Sequence, residues 1–136
     1  MSEEIMNSKQ QTQTEQLLET IFQRILPENA SERKKFPVFD GFLMYFPQAC
    51  LLTARVSFDG NEQHNPGQKL HWARGKSMDQ CSAAVRHLME AASEPNLALK
   101  AYLLAQAMWR VAAECQLVCE AAGGLAKMYP GQEKSR

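Results

Sequence analysis

Between Thr14 and Leu26 the apolar positions are Leu17, Leu18, Ile21, Phe22, Ile25 and Leu26. That recurrence is one helical face, and Pro27 ends it. Such a stripe can bury on the chain's own core or on a partner subunit. A second helix is expected from Pro47, well placed at a first helical position, to about Ser57. It would bury Ala49, Leu51, Leu52 and Val56, with Arg55 on its polar side. Asp59 and Gly60 are expected to close it, Gly60 taking the left-handed cap. A third helix is expected from Ser77 to about Ala92, opened by a capping box at Ser77, Met78, Asp79 and Gln80. Its apolar stripe is Cys81, Ala84, Val85, Leu88 and Ala92. After the break at Ser93-Glu-Pro-Asn, the last helix should run from about Leu97 to Ala122, roughly 39 Å at 1.5 Å per residue. Leu97, Ala101, Leu104, Met108, Val111, Ala112, Cys115, Val118 and Cys119 keep helical spacing along it, and Gly123-Gly124 stops it. No alternating strand pattern and no internal repeat interrupts this reading. The chain is expected to be all-α, a four-helix bundle or a bundle-like dimer. It divides into an N-terminal amphipathic helix and linker (1–35), a helical domain (36–124) and a loose tail (125–136).

The stretch that fits no period runs from Gly60 to Ser77. It holds His64, His71, Trp72, three cations and one acid, and is broken up by Pro66, Gly67 and Gly75. Structureless segments of this length inside compact domains are usually binding or lid segments, or disordered. Leu70 and Trp72 argue for an ordered functional loop around which the helices are arranged.

Charge and composition narrow the partners. With 136 residues the chain suits one domain with a real core. Fifteen cations balance fifteen acids, so no global field points to nucleic acid. Arg33, Lys34 and Lys35 form a short basic cluster, which is usually solvated surface and beside a nucleotide site could attract phosphates. The acidic start, Met-Ser-Glu-Glu, does not read as a signal peptide, and no apolar run reaches a membrane span. Cys50, Cys81, Cys115 and Cys119 read as free, buried thiols of a reducing cytosol. Cys115 and Cys119, four apart, could hold a metal with help, but the sequence offers no nearby His or Cys to complete four ligands.

Phosphate-binding P-loops, paired zinc cysteines and nucleophile elbows are missing. The candidate chemistry therefore gathers around the central loop. Glu62 and Asp79 could reach a divalent cation, since magnesium takes one or two carboxylates plus substrate phosphates. Asp79 equally suits a helix N-terminus, and Glu62 a solvated loop. Lys69, Arg74 and Lys76 with Trp72 suit a nucleotide, phosphates on the cations and the base on the ring. Trp72 could instead anchor the loop to the core. Arg86 and Glu90 have the spacing of a surface ion pair. Alternatively Arg86 meets a phosphate and His87 orients a ligand.

Several pieces occur in a telling order: Tyr45-Phe-Pro-x-Ala, Ala54-Arg-Val-Ser, Gly60-Asn-Glu-Gln-His-Asn-Pro-Gly, Leu70-His-Trp-Ala-Arg-Gly-Lys-Ser, Arg86-His-Leu and Trp109-Arg. Together, over residues 36 to 122, they resemble the dATP/dGTP diphosphohydrolase domain of bacteriophage proteins, related to MazG-like all-α nucleotide pyrophosphohydrolases. The resemblance implies a MazG-type helical fold, usually oligomeric, and hydrolysis of purine (deoxy)nucleoside triphosphates to monophosphate and pyrophosphate. It implies magnesium, with manganese as a substitute, and a cytoplasmic setting in a bacterial host. On it, Glu62, Asp79 and Glu90 are expected as metal-side acids and Glu62 and His87 as the catalytic pair. Trp72, Arg74, Lys76 and Arg86 are expected on the substrate. The expected partners are a nucleoside triphosphate and further copies of the chain, with neither nucleic acid nor membrane. One departure is specific. The family's Asp and His ahead of the Trp-Arg pair fall here at Asn96, Leu97 or Leu99 and at Leu103, with Glu94 the nearest acid. That opens a second expectation, a catalytically degenerate protein that binds a nucleotide or a host protein.

Overall fold

The computed structural model describes residues 26–123, and before them positions 8–11, 13, 15, 16 and 21, all eight of which are helical. Most of the Leu17–Leu26 stripe, and the tail beyond residue 123, lie outside the described residues. No β-strand occurs among the described residues, and the fold is all-α as expected. None of its described helices is long and apolar enough to cross a membrane.

A short helix, α1 (Ala30–Arg33), interrupts the expected linker. Asn29 caps it, accepting from Ser31 N at 2.8 Å. Arg33 turns back on the buried Pro27 and donates to its carbonyl at 3.2 Å, while Lys35 pairs with Glu32 at 3.0 Å. Two members of the basic cluster are thus engaged locally. Next comes a π-helical turn, Phe39–Leu43, in which Met44 N–H reaches back five residues to Phe39 O at 2.9 Å. Gly41 fits there because a Cβ would stand 2.9 Å from Pro37 Cγ. The turn stacks Phe42 edge-on against Phe46 and leaves Phe39, Met44 and Tyr45 exposed.

Helix α2 (Pro47–His64) runs seven residues past its expected end. Gly60 lies within it at an ordinary helical φ; among the described residues only Gly67, in the loop that follows, has a positive φ, 72°. Two side chains hold the extra turns. Asp59 is bonded by Arg55 at 2.8 Å and by Tyr102 Oη at 2.6 Å, and Asn61 Nδ2 donates to Gln68 O at 2.9 Å. The loop therefore begins at Asn65, and the chain's one glycine-free helical option, Asn61 to His64, is taken.

Helices α3 (Gln80–Ser93) and α4 (Leu97–Gly123) match their expected spans closely. Asn96 opens α4, its Oδ1 accepting from Leu99 N at 3.0 Å. The expected capping box of α3 does not form. Asp79 is the N-cap and makes no capping bond, its carboxylate meeting Arg86 at 3.3 Å. Ser77 Oγ instead lies 3.5 Å from Arg110 Nη1. A tertiary donor thus takes the hydroxyl that the local pattern assigns to the backbone.

Both α2 and α3 pack against α4. Asp59 meets Tyr102 while Thr53 meets Met108, so α2 runs antiparallel to α4. The three-residue link from Ser93 to Leu97 makes α3 antiparallel as well. Buried apolar positions are Ala83, Ala84, Ala91, Leu103, Ala105, Ala107 and Ala113, and among the described residues no large side chain is fully buried. Small residues let the helices approach closely. The stripes expected to form the core face outward instead: Cys81, Val85, Leu88 and Ala92 on α3, and Leu97, Leu104, Val111, Cys115 and Val118 on α4, are exposed. Cys81 and Cys115 are thus not buried thiols. All four cysteines are free, and Cys119 has its thiol pushed up by burial, then by its neighbours Cys115 and Glu120.

The Asp59–Tyr102 bond carries a testable titration. Burial, and then the bond to Asp59, push the Tyr102 phenol up to about 12. Tyr102 in turn holds Asp59 below the usual carboxylate value. The neutral phenol therefore favours the fold fully below pH 10 and loses that effect as pH rises through about 12. The Asp59 contribution is present above the unfolded carboxylate value and is lost as pH falls through the lower folded one. Absorbance titration of native protein should show one tyrosine ionising near pH 12, and Asp59→Asn should bring it down. An unchanged titration in that variant would break the link.

Candidate functional site

The segments that carry the unusual motif are far apart in sequence and meet along α4. Trp72 packs edge-on against Trp109, ring centroids 5.9 Å apart. Trp109 Nε1 donates to Ser57 Oγ at 2.6 Å, which ties the same ring to α2. Arg110, the next residue, donates to Gln80 Oε1 at 3.1 Å at the start of α3. The end of α2, the loop, the start of α3 and the middle of α4 thus form one polar and aromatic face. Asn61 and Gln80 are buried within it, and Asn61 Oδ1 and His87 Nδ1 lie buried without a hydrogen-bond partner. Buried polar atoms of that kind are uncommon and mark strain or a missing partner.

Each residue singled out in the sequence has a definite place here. Trp72 is half-buried, with the Arg74 guanidinium over its ring at 4.3 Å. Arg74 is itself buried, and it forms an ion pair with Glu120 on α4. Burial alone would raise the Glu120 carboxyl, but bonds from Arg74 and Gln116 and the Arg74 charge outweigh it and hold it low. Lys76 is exposed on the loop, its N–H bonded to Ala73 O at 3.3 Å. Arg86 is exposed and turns back to Asp79 rather than forward to Glu90. His87 is half-buried on the next position of α3. Glu62 and Glu90 are exposed, and no described residue engages either carboxylate.

Register along α4 sorts the three expected metal-side acids. Glu62 lies three residues beyond Asp59, about 4.5 Å further along α2, which brings it level with Leu99. Glu90 lies ten residues beyond Gln80, about 15 Å along α3, which brings it level with Lys100. These two acids, on different helices, stand at the same height near the start of α4. Asp79 stands at the height of Arg110, about 15 Å away along the axis. Among the described residues, no three His, Cys, Asp or Glu side chains group so as to hold a metal ion.

Sequence reasoning passed over Asp59, Asn61, Tyr102 and Glu120. Asp59 and Glu120 sit in helical patterns as ordinary surface acids, and only contacts 43 and 46 residues away give them roles. Asn61 carried a signal in its place beside Gly60 at the head of the motif.

Compared with known proteins, the chain matches no family model, no curated protein and no solved structure.

Proposed function

We propose that this chain is a nucleoside triphosphate pyrophosphohydrolase of the phage dATP/dGTP diphosphohydrolase type, built on a MazG-like helical bundle and working as an oligomer in a bacterial host cell. The observation that carries the reading is the meeting of the motif pieces: Asn61, Trp72, Gln80, Trp109 and Arg110 join in one polar face although they span half the chain. Lys76 and Arg86, both exposed, bind phosphate oxygens, and Trp72 offers its ring to the base. His87 orients the phosphate end through a hydrogen bond. Glu62 and Glu90, level and unengaged, fit the way magnesium binds, with one or two carboxylates and the substrate's own phosphates. Bound there, magnesium or manganese would supply charge neutralisation at the phosphoryl group.

A second reading, binding without turnover, is favoured by the acids themselves. Asp59 is held by Tyr102 and Arg55, Asp79 by Arg86 and Glu120 by Arg74, which leaves two carboxylates where the resemblance implies a larger cluster. Pyrophosphate release from dATP, dGTP, dCTP and dTTP, with and without magnesium, separates the readings. Metal-dependent release from the purine substrates is the expected result. No release, with nucleotide still raising the melting temperature, would establish the binding protein instead.

A further inference from the structure

The face of α3 and α4 turned away from the loop is apolar along its whole length. On α4 Leu97, Leu104, Val111 and Val118 recur every seventh residue, and Leu97 and Val111 are 81% and 56% exposed. A sustained seven-residue repeat keeps one seam on one side of a helix, the arrangement of helices that pair with other helices. On α3 Cys81, Val85, Leu88 and Ala92 repeat the pattern. Helical residues advance about 100° each. The outer line of α3 lies about 100° round from its buried line through Gln80, Ala84 and Ala91. The outer line of α4 lies about 100° round, in the same sense, from Leu103, Ala107 and Arg110, the last of which bonds Gln80. Two antiparallel helices that each turn a quarter in the same sense show those lines on the same side. The seams therefore lie next to each other on one open face, and the charged positions Asp79, Arg86 and Glu90 fall on the opposite one.

We infer that a second copy of this chain covers this face, so that α3 and α4 of two protomers form a four-helix core. Three features select a second copy. The interior of one protomer is lined with alanine and encloses no large side chain among the described residues, so the apolar bulk that would stabilise the hairpin is all on the open face. The face measures roughly 30 Å by 20 Å, on the order of the 800 Å² per partner that a stable interface needs. Its two lines contain no charged residue, so it offers nothing to select a partner by charge, whereas a two-fold operation matches it to itself. The pairing is independent of the activity proposed above, since mass and thiol exposure read it without any nucleotide.

Light scattering and sedimentation of the full chain should give about twice the 15.3 kDa of one protomer. Leu104→Glu and Val111→Glu should give 15.3 kDa, while Ser82→Glu, on the far side of α3, should leave the dimer intact. Thiol labelling guards against a variant that fails to fold. In native protein Cys81 and Cys115 should be protected at high concentration and should react on dilution. A native monomer with both thiols reactive overturns the inference, as does a dimer that survives both glutamate variants. Thiols protected in a monomer, and exposed by removing residues 1–25, would assign the face to the chain's own N-terminal segment and overturn it too.

Discussion

Arg74→Met should destabilise the fold by about 3 kcal/mol, the scale for removing one member of a buried ion pair. For a chain of this size that lowers the melting temperature by roughly 10 °C. The Arg74 side chain is 2% exposed and that of Glu120 is 16% exposed, so methionine would leave a carboxylate with little water and no counter-charge. Glu120→Met should be as harmful, because the stranded guanidinium is deeper still. The double variant should recover most of the loss, since two apolar side chains need no partner there. Urea melts of the four proteins give the coupling directly. Strictly additive losses would show that Arg74 works through its stacking on Trp72 alone. The pH dependence has a fixed sign. Glu120 is held below its ordinary value of 4.5, so its contribution is complete above that value and fades as pH falls through the lower folded one. The gap between native protein and Arg74→Met should therefore close in acid.

Glu62→Gln should cut turnover by at least about 100-fold, the scale for losing one group that meets developing charge. Stability should move by less than about 0.5 kcal/mol, because Glu62 is exposed and no described residue holds it. Glu90→Gln should act similarly. Because the two acids stand level, removing both should be no worse than the more damaging single change. Asp79→Asn should leave turnover closer to native, since that acid stands at the other end of the face and pairs with Arg86. Steady-state pyrophosphate release against magnesium concentration reads all three. Full turnover in Glu62→Gln would remove the assignment.

Where the sequence pattern was right, the signal was local. Asn96 after Glu94 and Pro95 opens α4 because its side chain reaches a backbone N–H three residues on. Helix periodicity also located α3 and the end of α4. It failed on which face of each is covered. Period shows that Val85, Leu88, Leu104 and Val111 share a side; it does not show whether a protein surface lies against that side. Alanines 83, 84, 91, 105, 107 and 113 carry little hydrophobic weight in a pattern, yet they line the interior because they let helices come close. The end of α2 was hidden for another reason. Gly60 reads as a cap, but Asp59 and Asn61 beside it are held by Tyr102 and by the Gln68 carbonyl, and the first of these lies on another helix. The candidate site was legible as a set of residues and only partly as a geometry. Trp72, Arg74 and His87 lie on the motif face as expected, whereas the division of the acids into two levels depends on the register of three helices.

That register also orders the assembly of the chain in time. The α3–α4 hairpin closes through a link of three residues, so its contacts form at little cost in chain entropy. The ties of α2 and the loop to α4 span 43, 46 and 52 residues, and they form only after that larger loss of freedom. The hairpin is therefore the natural nucleus, and the motif face docks onto it late. In the native protein the same order runs in reverse. Asn61, Trp72 and Arg74 belong to the part that opens first, and the surface that would receive a nucleotide is the one the chain releases most readily.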